Sequence, residues 1–398
     1  MVVRLPVRVA VNAAGCELIE LLKAGAEAHD YRNYNDRICY VSYVNRSYGT
    51  SSAPEKRARR WWRRTLIAAG CVVALVVGAG AWVIYANDFD IRQEELTIPG
   101  STQPLRATLA MPGRGKGPFG LVVFVHGDGP ADASRDSFYE PIWESFAKAG
   151  YASLSWNKPG IDGAQGNWLD QSMHDRAAEA EAAIAWARRR GDIDPRRIGM
   201  WGISQGGWVV PEVAARHSEL QFVILVGAAV NWLRQGEYNL VAELRYRGAS
   251  QAEIDAALDR RNVGVRLLRE HATYQEYLAV QTDSEPMSED RWNFVLRNYR
   301  ADVTAVLADV EVPVLLILGA DDLNVDVDET ERVYREIIPP QQLTVQRYSN
   351  ASHSIVESRF GNDPDWRATV VALFAPRSLY APGYLDALRE YAERQPVR

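Results

Sequence analysis

From about residue 92 onward, short runs of apolar and β-branched residues alternate with longer stretches in which apolar positions recur at helical spacing among charged ones. The short runs predict strands at 95–98, 105–111, 121–126, 151–156, 198–203, 222–226, 314–318 and 343–348, since runs of this length bounded by turn residues suit strands better than helices. The amphipathic stretches between them, such as 172–190, predict helices, and Ser172-Met-His-Asp175 reads as a capping box that fixes the start of that one. Such alternation predicts a mostly parallel, eight-stranded α/β sheet flanked by helices. One interval breaks the rhythm. Residues 228 to 313 separate two predicted strands and read largely as helix, too long a stretch to be bare loop inside a compact sheet domain. It predicts a helical cap at 228–305. Its rings, Trp232, Tyr238, Tyr246, Tyr274, Tyr277, Trp292, Phe294 and Tyr299, either line a pocket or hold the cap's own helices together.

A second pattern lies upstream. Residues 65–87 contain no charged side chain, and a helix of about twenty apolar residues spans a bilayer core. Lys56, Arg57, Arg59, Arg60, Arg63 and Arg64 precede the run, and Asp88 and Asp90 follow it. By the positive-inside rule, residues 1–64 form a cytoplasmic segment of uncertain order, 65–87 a single transmembrane helix or signal anchor, and 90–398 an extracytoplasmic catalytic domain tethered to the cell membrane. The competing reading is a cleaved signal peptide and a secreted domain, for which Ala79-Gly-Ala81 supplies small residues.

Composition narrows the function. The 398 residues carry a formal charge of −6, which does not fit a nucleic-acid partner. The three cysteines, Cys16, Cys39 and Cys71, all precede residue 90, so the predicted domain has no disulfide, cysteine metal site or cysteine nucleophile.

Candidate chemistry centres on Gly202-Ile-Ser-Gln-Gly206, which follows an apolar run and opens a helical stretch. A serine on a sharp strand-to-helix turn needs small residues two before and two after it, and Gly202 and Gly206 meet that need. Serine alone is a poor nucleophile and requires an oriented base. Of six histidines, His29 precedes the anchor, His174 and His217 fall on helices and His271 falls in the cap. His126 and His353 remain, and His353 lies in a small-residue loop after the last strand, the better place for a base. The acid belongs at the end of the preceding strand, where Asp321 and Asp322 both offer themselves; the G-x-x-D-x-x-V spacing from Gly319 to Val325 selects Asp322. Ser204, Asp322, His353 is the order found in α/β-hydrolases. The His126-Gly-Asp-Gly-Pro130 turn offers the amides of Gly127 or Asp128 to pair with that of Gln205 as oxyanion donors.

At these residues the chain resembles the α/β-hydrolase superfamily, and more narrowly the bacterial EstD-type carboxylesterases related to dienelactone hydrolase and acyl-peptidase domains, over roughly residues 90 to 375. The specific pieces are the His126–Pro130 turn, the Trp156-Asn-Lys-Pro-Gly160 stretch and the Gly202–Gly207 elbow. The chain departs from its relatives at Asp128, where a serine is common, so this carboxylate must point away from an oxyanion or the donor must be Gly127. The resemblance implies a serine hydrolase acting on a small-molecule ester or acyl substrate through an acyl-enzyme, with no metal or organic cofactor. A peptidase and a thioesterase or acyltransferase use the same triad, and a non-catalytic membrane-tethered binding module is the reading of another class. Oligomeric state is not readable.

Overall fold

The computed structural model describes residues 54–282 and 285–397. Most of the expected segment 1–64, with Cys16, Cys39 and His29, lies outside the described residues. The helix as far as Ile84 and the body from Tyr85 onward are separate units. In the first, α1 (Pro54–Ala86) begins earlier than the apolar run alone suggests and takes in the basic cluster. Proline is well tolerated in the first turn of a helix, and Lys and Arg are good helix formers, so Pro54 and the basic cluster are compatible with the helix. Arg59–Ala86 is long and apolar enough to cross a membrane.

The body is built on eight strands: β1 (Ile91–Ile98), β2 (Leu105–Pro112), β3 (Phe119–Val125), β4 (Tyr151–Trp156), β5 (Ile193–Ile203), β6 (Phe222–Val226), β7 (Val314–Gly319) and β8 (Leu343–Tyr348). Their order is β1-β2-β4-β3-β5-β6-β7-β8. Only the β1–β2 and β2–β4 pairings are antiparallel, so β2 alone runs against the rest. β3, β6 and β7 are buried along their whole length, as expected where helices cover both faces. Leu121, Val123 and Val125 of β3 enter one core with the helices α3 (Met173–Ala187), α4 (Gly206–Arg216) and α9 (Val327–Ile337). Val122 and Phe124 enter the other, with α2 (Glu140–Lys148) and α11 (Tyr384–Arg394).

Three strands start before their expected positions, β3 by two residues and β1 and β5 by more. β1 includes Ile91-Arg-Gln-Glu94 because an edge strand tolerates charged side chains that mask its pattern. β5 begins at Ile193, and its pairing with β3 jumps from Phe119–Ile193 to Leu121–Ile198, so that Asp194-Pro-Arg-Arg197 bulges out of register. Proline lacks the N–H that a regular ladder would need there.

Between β6 and β7 stand α5 (Trp232–Tyr246), α6 (Gln251–Arg269), α7 (Tyr274–Val280) and α8 (Glu289–Asn298). A bridge between Asn231 and Asp302 closes their base. Tyr277 and Trp292 stack at 4.4 Å and, with Leu267, Leu268 and Tyr299, form this layer's own small core. After β8 come α10 (Trp366–Phe374) and α11.

Candidate functional site

The chain turns sharply at Ser204, between β5 and α4. Ser204 has φ +54°, a left-handed conformation disfavoured for any residue with a Cβ, and its N–H is held by Val226 O at 2.9 Å. The flanking glycines are required sterically. A Cβ at Gly202 would lie 2.7 Å from Val210 Cγ2, and one at Gly206 would lie 2.8 Å from Val125 O. Because α4 starts immediately after it, Gln205 carries one of the N–H groups that a helix start leaves without an intrahelical acceptor.

His353 occupies the loop after β8, and Asp322 the loop after β7. His353 Nδ1 donates to Asp322 Oδ2 at 2.8 Å. Asp322 Oδ1 accepts from the amides of Asn324 at 2.7 Å and Val325 at 2.9 Å, so the carboxylate is fixed and buried. From the cap, Tyr238 donates its hydroxyl to Asp322 O at 3.0 Å. Room for the imidazole comes from Gly227, at φ +54°, where a Cβ would lie 3.0 Å from the His353 ring. Asp321 faces the other way and accepts from the Ser358 hydroxyl on the exposed side.

Ser204, His353, Gln205, Gly127 and Asp128 line one cavity of about 390 Å³, with Asp322 behind His353. Trp208 and Trp232, stacked at 5.1 Å, form part of its apolar wall. Of the cap aromatics, Trp232 thus faces the cavity, whereas Tyr277, Trp292 and Tyr299 are cap core and Tyr246 is exposed. His126 does not line this cavity. Its Nε2 lies 2.7 Å from Trp156 O, which can only accept, so Nε2 carries the proton, and burial holds the ring's pKa well below the ordinary value.

Several polar residues beneath the cavity had no clear signal in the sequence. Buried Lys158 donates to Gly127 O at 2.6 Å and Gly129 O at 2.7 Å, and burial, together with the charge of Arg176, pushes its pKa well down. In a planar trans peptide the C=O and the following N–H point in opposite directions, so pinning Gly127 O toward Lys158 turns the Asp128 N–H away from it. Arg176 of α3, also buried, donates to Gln205 Oε1 at 3.0 Å and to His126 O, joining the helix-start turn to the end of β3. The Asp128 carboxylate is held by both arms of the Arg291 guanidinium from α8, at 2.8 and 2.5 Å. Partial burial raises its pKa, but the Arg291 hydrogen bonds outweigh that and hold it below the ordinary carboxylate value. Among the described residues, no three His, Cys, Asp or Glu side chains gather as a metal site.

A sheet in which only β2 is reversed, an elbow after β5 and a paired Asp and His on the loops after β7 and β8 define the α/β-hydrolase class of fold. The profile of the X-Pro dipeptidyl-peptidase (S15) family matches residues 101–353, and the chain belongs to that family. It is 21% identical over 284 residues to esterase EstD of Thermotoga maritima, an alignment covering 70% of this chain and 64% of that relative. Among solved structures, it is similar to Est1E of Butyrivibrio proteoclasticus, seen with ferulic acid bound (TM-score 0.47, 15% identity, 75% of this chain and 96% of that one). It is also similar to an esterase of Pyrobaculum calidifontis (TM-score 0.46, 18% identity, 79% and 88%).

Proposed function

We propose that this chain is a membrane-tethered serine hydrolase that cleaves small carboxylic esters through an acyl-enzyme. The observation that carries the reading is the convergence of Ser204, His353 and the buried Asp322 carboxylate at one cavity. With Nδ1 donating to Asp322, the neutral imidazole keeps its Nε2 lone pair free to take the Ser204 proton as the hydroxyl attacks the ester carbonyl. The amides of Gln205 and Asp128 receive the oxyanion; Asp128 is preferred to Gly127 because Lys158 pins the intervening peptide plane. The imidazolium returns its proton to the leaving alkoxide, and a water activated by the same base releases the acid.

The family's description concerns dipeptides cut from a peptide N terminus, and the relative's name concerns esters. Charge in the cavity favours the ester. A peptide N-terminal ammonium calls for a free carboxylate, whereas the one acidic side chain lining the described cavity, Asp128, is occupied by Arg291. Thioester cleavage or acyl transfer would use the same groups. The apolar stretch of α1, with the basic residues in the turns before it, supports a bilayer anchor with the body on the extracytoplasmic side.

The test is turnover of a panel of p-nitrophenyl esters against X-Pro anilides, by wild type and Ser204→Ala, with fluorophosphonate labelling in parallel. Ester turnover and labelling, both lost in a folded Ser204→Ala, support the reading. Ester turnover retained in that variant, or anilides cleaved in preference to esters, refutes it.

A further inference from the structure

Arg135 lines the same cavity, on the segment that follows the oxyanion turn. Arg135, Asp136 and Ser137 have φ of +51°, +54° and +68°, a run of left-handed residues without a glycine. L-residues visit this region singly if at all, and such a run persists only where its surroundings over-determine it. Here they do. Arg135 N donates to Asp132 O at 3.1 Å, Tyr139 N to Ser134 O at 3.0 Å, and Asp132 Oδ1 takes the Ser134 amide, the Ser134 hydroxyl and the Asp136 amide.

A guanidinium held in this way still lacks a full set of partners. Its Nη1 is shielded from solvent and bonded to nothing among the described residues. Asp132 and Asp136 keep their negative charges in the turn itself, Asp132 accepting from the turn's own N–H and O–H groups and Asp136 exposed, and the neutral Tyr139 hydroxyl hydrogen-bonds with the Arg135 side chain. The other charges on the cavity wall, Asp128 and Arg291, neutralise each other. Arg135 therefore gives the wall one positive side chain that no lining carboxylate pairs with, which favours a ligand bearing negative charge there.

We propose that Arg135 determines specificity by receiving a carboxylate carried by the substrate, so that the preferred substrates are anionic esters. The inference rests on the ester-hydrolase reading above and adds no step to the reaction. The carboxylate can sit in the acyl half, as in a dicarboxylic acid monoester, or in the alcohol half, as in an O-acylated hydroxy acid. A guanidinium at the wall offsets the repulsion that a protein of net charge −6 presents to such molecules.

The experiment uses the full chain in detergent and compares kcat/KM for monoethyl succinate with ethyl succinamate, and for O-acetylglycolate with O-acetylglycolamide. Each pair differs only in exchanging a carboxylate for a neutral amide. One pair, identifying the half that bears the charge, is expected to show a preference of about 10- to 100-fold for the carboxylate, the range of a charge-assisted hydrogen bond. Arg135→Met should bring that ratio to about one, Arg135→Lys should keep part of it, and raising salt from about 0.05 to 0.5 M should reduce it. The wild-type ratio needs no variant to fold. Amides cleaved as well as both carboxylates by wild type, or a preference that survives Arg135→Met, overturns the inference and leaves the ester reading standing. No turnover of any ester overturns both.

Discussion

His353 Nδ1 stands 2.8 Å from Asp322 Oδ2, and the other oxygen of that carboxylate is fully engaged by the amides of Asn324 and Val325. An acceptor-only group in that position places the ring proton on Nδ1 and leaves Nε2 basic. Asparagine at 322 could turn its NH₂ toward the ring and reverse the tautomer. Asp322→Asn is therefore expected to lower kcat by about 10⁴-fold, the scale seen when a triad acid is neutralised. Asp321→Asn, altering a carboxylate that accepts from Ser358 on the exposed side, should stay within about 3-fold, as surface substitutions usually do. Steady-state kinetics on an activated ester separate the two, and equal losses would reassign the acid.

Lys158 lies under the proposed oxyanion turn and does not line the cavity. Its bond to Gly127 O sets the peptide plane whose far side carries the Asp128 N–H, and its bond to Gly129 O holds the end of the turn. Lys158→Met keeps an unbranched side chain and removes both bonds together with the ammonium's contact over the Trp168 ring at 4.7 Å. The expected result is a fall in kcat of about 10²-fold, the scale of losing one oxyanion donor, with KM little changed. A variant that melts like wild type and keeps its kcat would show that the turn holds its shape without the lysine.

The residues that could be read from sequence are those whose requirement is local. Gly202, Ser204 and Gly206 announce themselves because the backbone at this turn excludes side chains, and the glycine contacts bear out that steric requirement. The eight strands were legible because buried parallel strands are continuous apolar runs; the start of β1 was not, because an edge strand carries Arg92, Glu94 and Glu95. Arg291 and Asp128 are 163 positions apart, and nothing near either residue foretells the other. Lys158 falls inside the Trp156–Gly160 stretch that the family resemblance singled out, yet only the folded chain brings its ammonium under Gly127. Among the cap aromatics, composition alone could not separate Trp232, on the cavity wall, from Trp292, in the cap core.

The Asp128–Arg291 pair joins the turn after β3 to α8. Arg291 also lies over Phe294 at 5.1 Å, so its removal frees both a charge partner and a packing contact. Asp128→Asn and Arg291→Gln are each expected to raise KM, and the double variant should be little worse than either alone. The coupling should be about 1 kcal/mol, between the value for an exposed pair and that for a buried charged hydrogen bond, because both side chains are partly exposed. Strict additivity in the double-mutant cycle would mean that the two ends act independently.

Within the body, Arg377 ties residues 86–89 to α2. It donates to Glu144 at 2.7 and 2.8 Å, to Ala86 O at 2.8 Å and to Asp88 O at 3.2 Å, and lies 4.4 Å over the Phe89 ring. Burial raises the Glu144 pKa, but the hydrogen bonds from Arg377 and Lys148 outweigh it and bring the carboxyl down to about 2. A folded pKa below the ordinary glutamate value of about 4.3 means that the stabilisation is complete above that pH and is lost as pH falls toward about 2. Wild type should therefore lose thermal stability between about pH 4.3 and 2. Arg377→Met should begin less stable at neutral pH and lose less over that window, since only the half-exposed Lys148 and the Asp90 amide then hold the carboxylate. Thermal unfolding of both proteins in detergent across this range measures the difference, and acid limbs of equal size would show that the Arg377–Glu144 contact contributes nothing to the stability of the body.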